Sequence, residues 1–111
     1  MYQVIRQNKY RNVKQVYDGY PYMSKKEAAY AQELDLRVKA KDIKSWEKQV
    51  KLDLRVNNLH ICNYYVDFKI LHYDGSEELV EVKGFETATW RIKWKLTEAL
   101  YEQKYKLTVV K

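Results

Sequence analysis

Cysteine and proline occur once each in this 111-residue chain, as Cys62 and Pro21, and glycine occurs three times. A single cysteine rules out an internal disulfide framework. Its apolar, strand-like surroundings make Cys62 a small core residue rather than a nucleophile. The two histidines, His60 and His72, lack the spacing of a zinc site. No apolar stretch approaches the roughly 20 residues that cross a bilayer, and Met1–Gln7 lacks the apolar segment of a secretory signal. A cytoplasmic protein with no membrane association is expected. Repeats and low-complexity tracts are absent as well.

What remains is the composition of a folded domain, with 46% hydrophobic and 32% charged residues. The length suits one domain with one modest core. Lys and Arg number 21 against 15 Asp and Glu, a formal net charge of +6. That balance favours a polyanionic partner, nucleic acid first.

Residues 1–22 read as a basic arm with a short strand or hairpin turning at Asp18-Gly19. Ser24 and Glu27 form a capping box, opening a helix to about Ala40 with Ala28, Ala31, Leu34 and Val38 on one face. Alternation predicts a strand from Ile43 to Val56, a turn at Asn57-Asn58, and strands from Ile61 to His72 and from Leu79 to Lys83. Thr87 or Thr89 caps a second helix with Ile92, Leu96, Ala99 and Leu100 on one face. A strand from Tyr105 to Val110 closes the chain. Trp90 and Trp94, four apart, suit core packing or a dimer contact better than base stacking.

Charges at central strand positions are costly unless paired, which singles out Asp67, Glu81 and Lys83. Alternation puts Val66, Phe68 and Ile70 on one face of their strand and Tyr65, Asp67 and Lys69 on the other. It opposes Val80 and Val82 to Glu81 and Lys83. The apolar faces coincide only if odd residues pair with odd. A two-residue Asp74-Gly75 turn breaks that parity. A three-residue loop of Tyr73, Asp74 and Gly75 keeps it, places Gly75 at the left-handed position and sets Asp67 directly across from Glu81. Two carboxylates that close repel unless a cation intervenes: Lys83 can offset one, and a divalent cation both. The same trio also fits a salt-bridge ladder on a solvated face.

Asp67, a gap of about a dozen residues, then Glu81-Val82-Lys83, within the order helix, three strands, helix, strand, resembles the PD-(D/E)XK nuclease superfamily. That superfamily includes restriction endonucleases, Holliday-junction resolvases, phage endonuclease I and the transposase-associated TnsA endonuclease. Ser24-Lys25-Lys26-Glu27-Ala28, Leu34, the strand around Gln49 and Lys83-Gly84-Phe85 followed by Lys93 and Lys95 are similar to small phage-encoded nuclease-like proteins. Val66 stands where that pattern has a proline before the aspartate, Val50 where a proline often follows the glutamine, and Met23 where an aspartate is frequent.

The resemblance implies an α/β (α+β) fold with a restriction-endonuclease-like αβββαβ core, its mixed sheet flanked by helices. It also implies Mg2+- or Mn2+-dependent cleavage of DNA in phage recombination or DNA processing, on branched junctions among other substrates, by a homodimer. Asp67, Glu81 and the Val82 carbonyl would hold the metal, and Lys83 would orient the attacking water. Glu27 would join the acidic cluster, in competition with its role in the cap. Arg91, Lys93 and Lys95 would grip phosphates unless they form a solvated helix face, and Gln49 would reach the phosphate or metal waters. The alternatives are a non-catalytic nucleic-acid-binding module on the same fold and a protein-interaction subunit.

Overall fold

The computed structural model describes residues 14–111; the first part of the basic arm, with Tyr10, Arg11 and Asn12, lies outside them. Two short strands, β1 (Gln15–Tyr17) and β2 (Tyr20–Tyr22), form an antiparallel hairpin. Its turn puts Asp18 and Gly19 at φ 51° and 79°, the left-handed pair that suits the twist of a two-residue hairpin. The expected hairpin is thus present. Asp35 anchors it, accepting from the Tyr17 hydroxyl and, at 2.9 Å, from the Trp46 indole N–H.

Helix α1 (Lys25–Lys39) begins at Ser24, whose Oγ accepts the Glu27 N–H at 3.1 Å. Ala28, Ala31 and Leu34 are buried as their spacing requires. Strands β3 (Ser45–Val56), β4 (Leu59–Leu71) and β5 (Glu77–Val82) follow, then helix α2 (Ala88–Tyr101) and β6 (Lys106–Val110). The order matches that expected from the sequence. The sheet runs β3-β4-β5-β6, antiparallel except for the parallel β5–β6 pair, whose crossover is α2, as parallel neighbours require.

The two helices cover opposite faces. Phe68, Ile70, Val80 and Val82 pack with the buried face of α1. Leu52, Leu54, Tyr64, Val66 and Leu79 pack with Trp90 and Trp94 of α2. Consecutive residues Leu79 and Val80 belong to different layers, as strand alternation dictates. Strand β5 is covered on both sides.

Two sequence expectations are corrected. Val66 does not share a face with Phe68 and Ile70; it packs in the α2 layer. The pairs Lys48↔Phe68 and Val50↔Val66 keep the same offset, but between them Gln49 adopts φ 53° opposite Asp67. At this place the buried side chains pass from the α1 layer to the α2 layer, so parity carries across it in count but not in face. In α2 the buried stripe is Trp90, Trp94 and Thr97, while Ile92 is 69% exposed and Ala99 and Leu100 also face solvent. Both stripes have helical spacing. The tryptophans win because each buries far more apolar area than an aliphatic side chain.

Candidate functional site: a carboxylate fork between two helix starts

The β4–β5 hairpin closes as parity demanded. His72 N–H donates to the Ser76 carbonyl, Gly75 sits at φ 91°, and Phe68↔Val80 through Leu71↔Glu77 hold one register. Extending that register by one step sets Asp67 across from Glu81. There, however, backbone pairing stops and side chains take over. Asp67 Oδ2 accepts the Val82 N–H at 2.9 Å, and the Asp67 N–H points at Glu81 Oε1 at 3.4 Å. The strands fork, and two carboxylates bridge the fork.

Glu81, 3% exposed, also accepts from the Tyr64 hydroxyl at 2.8 Å. Tyr64 in turn accepts the Trp90 indole N–H at 2.9 Å. Lys83 Nζ lies 3.7 Å from Glu81 Oε2 and 5.2 Å from the centre of the Trp90 ring, and its backbone N–H is tied to Val110. Gln49 reaches Asp67 Oδ1 through its side-chain amide at 3.5 Å, so the left-handed residue is also the one that faces the aspartate.

Glu27 joins this group from α1. Capping is done by the Ser24 hydroxyl, which leaves the Glu27 carboxyl buried and turned to the acids; Ser24 Oγ approaches it at 3.4 Å. Burial first, then the charges of Asp67 and Glu81, push Glu27 up to about 7. Burial and the Asp67 charge push Glu81 up to about 7 as well. Asp67 is raised by burial, against the Val82 N–H and Lys83, which favour its charge. Burial raises Tyr64 above the ordinary tyrosine range, keeping it a neutral donor. Three carboxyls face one lysine, so the cluster carries more negative charge than it can neutralise and holds protons instead.

A cleft of about 480 Å3 opens over Asp67, Glu81 and Gln49, with Lys93 of α2 on its wall. A second, of about 580 Å3, is lined by Lys26, Val82 and Phe85. Glu27, Lys83, Met23 and Thr87 border both. The N-terminal ends of α1 and α2 therefore flank the carboxylates. Of the expected phosphate-gripping residues, only Lys93 belongs here. Arg91 and Lys95 line a separate groove of about 210 Å3 beside Trp94, and Arg91 pairs with Glu86 at 3.5 Å. Helix geometry explains the split, since positions 91 and 95 share a face that position 93 does not. Tyr64 carries no sequence signal of its place here; its parity with Val66 reads as core.

Among the described residues, no group of three His, Cys, Asp and Glu side chains stands ready to hold a metal ion, and no helix is long and apolar enough to cross a membrane. Asp67 Oδ2 and Glu81 Oε1 are engaged in hydrogen bonds, which leaves Asp67 Oδ1 and Glu81 Oε2 as the oxygens turned to Gln49 and Lys83. His60 pairs with Asp53 and His72 with Glu78, away from the cluster. Cys62 is partly buried against the α2 layer.

Fold and site together define a small mixed α+β protein with an acidic, lysine-flanked cleft at a strand fork. The chain belongs to the family described as "Protein of unknown function (DUF1064)", whose model matches residues 7–111. No curated protein and no solved structure matches the chain.

Proposed function

We propose that the protein is a metal-dependent endonuclease that hydrolyses phosphodiester bonds of DNA, built on a restriction-endonuclease-like core. The observation that carries this reading is that Glu27, Asp67 and Glu81, all buried or partly buried, line one cleft with Lys83, whose Nζ lies 3.7 Å from Glu81. A pure nucleic-acid binder gains nothing from carboxylates turned toward phosphates, whereas an excess of buried negative charge suits a divalent cation. Hard oxygen donors favour Mg2+ or Mn2+. Asp67 and Glu81 would hold the ion, with Glu27 and the Val82 carbonyl as further donors. Bound there, the ion would supply an activated water and offset phosphate charge.

The chain's own groups do the rest. Tyr64 fixes Glu81 by donating to Oε1, and the Val82 N–H fixes Asp67. Lys83, held over Trp90, would orient the attacking water and stabilise charge that builds on the phosphate oxygens. Lys93 and Gln49 on the cleft wall provide phosphate contacts. Cutting both strands of a duplex takes two such centres, so a homodimer is part of the proposal. A role in phage recombination or DNA processing is part of the same proposal.

The test is incubation with supercoiled plasmid and a synthetic four-way junction in Mg2+, Mn2+ or chelator, beside Asp67→Asn and Lys83→Ala. Metal-dependent cutting is expected, reduced at least a hundredfold in either variant. Cutting that persists in both variants excludes this site. Binding without cutting under every condition would establish the non-catalytic module instead.

A further inference from the structure

Two aromatic side chains stand exposed in the clefts. Phe85 is 80% exposed in the cleft beyond Lys83, and Tyr65 is 52% exposed in the cleft over Asp67. A single exposed aromatic is ordinary on a protein surface; what sets these two apart is that each lines a cleft shared with the acidic centre. Tyr65 lies two residues before Asp67 and Phe85 two after Lys83, so each is tied by backbone to a group of the acidic centre. Each cleft also carries a lysine: Lys26 beside Phe85, Lys93 beside Tyr65, and Lys83 shared by both. Each cleft thus brings together an exposed aromatic, lysines and at least one carboxylate, with Glu27 and Lys83 common to both.

Continuous B-form DNA offers no base faces to such side chains, because its bases are stacked on one another. An unpaired strand offers one π-face per nucleotide, and stacking on aromatics beside lysines on phosphates is the usual way to hold it. We infer that the two clefts form one track for single-stranded DNA, with Tyr65 and Phe85 stacking the bases on either side of the phosphate presented to Asp67, Glu81 and Lys83. The substrate class is then a strand with unpaired nucleotides at the cut: a single strand, a flap or the opened centre of a branch. This inference rests on the endonuclease reading for the cut but not for the binding.

The test uses the full chain with a fluorescent 15-nucleotide oligo(dT) and a blunt hairpin duplex of equal length. Affinity is read by anisotropy in chelator, and cleavage in Mn2+. Wild type is compared with Phe85→Ala, Tyr65→Ala, Phe85→Trp and Tyr65→Phe. Both side chains are exposed, so melting temperatures should stay near wild type. The single strand is expected to bind more tightly than the duplex, with each alanine weakening it about tenfold and each aromatic replacement restoring it. Equal binding by the alanine variants, or preference for the duplex, overturns the inference. Aromatic-dependent single-strand binding with no cleavage upholds the track and overturns the nuclease reading. Cleavage of the duplex as fast as the single strand, untouched by either alanine, does the reverse.

Discussion

Tyr64 joins two buried groups, donating to Glu81 and accepting from the Trp90 indole N–H. Tyr64→Phe keeps the ring but leaves the Trp90 N–H unpaired, which is expected to cost about 1–3 kcal/mol in urea denaturation. The same change removes a hydrogen bond that lowers the pKa of Glu81. Glu81 would then ionise at higher pH in the metal-free protein, and the fall of stability with pH should move up with it. A variant that loses stability equally at every pH in chelator would show that Tyr64 serves the core alone. Alternation makes Asp67, Glu81 and Lys83 visible as charges out of place on strands. Tyr64 and Trp90 look like ordinary core residues, because their function lies in a polar tip that periodicity cannot register.

Among the elements, the β3–β4 ribbon turns on Gln49. A side chain held at φ 53° pays a conformational penalty of roughly 1–2 kcal/mol that glycine escapes. Gln49→Gly should therefore fold at least as stably as wild type while losing the amide contact to Asp67. Gln49→Val, β-branched at that backbone angle, should lose at least 1 kcal/mol on the same denaturation curve. If both variants fold equally well, the left-handed turn is not fixed by this residue. The helices, strand order and β4–β5 register were legible because caps, turn residues and parity are local signals that agree with one another. The reversal at Gln49 was not, since glutamine does not advertise a left-handed conformation. The buried face of α2 was ambiguous for another reason: two stripes met the same spacing, and bulk decided between them.

At the scale of the whole molecule, the acidic cluster sets how stability responds to pH. Glu27 and Glu81 hold their protons up to about pH 7 in the fold, against an ordinary value of 4.5. The folded chain therefore binds more protons than the unfolded chain between those values, and stability falls as pH rises through the window, levelling off above it. Asp53, Asp74 and Glu86, whose pKa values are depressed by exposed partners, act oppositely, losing their contribution as pH falls below about 4. Melting temperatures of wild type and Glu81→Gln from pH 4.5 to 8 separate the two. The variant should lose part of the decline between pH 4.5 and 7, and Mg2+ should raise the wild-type value most at pH 8. Identical slopes would mean that Glu81 titrates normally.

The fork in the sheet has a last consequence. Elsewhere β4 and β5 are joined by peptide groups, which are the same whatever the sequence. At the final step the join is made by Asp67 and Glu81, so a piece of the fold's architecture is written in side chains that chemistry can occupy. Drift at these positions would unfasten a strand as well as remove the groups on which the proposed reaction depends. The two acids thus serve the architecture as well as the proposed chemistry, and Lys83, whose side chain fastens no strand, is the sharper probe of that chemistry.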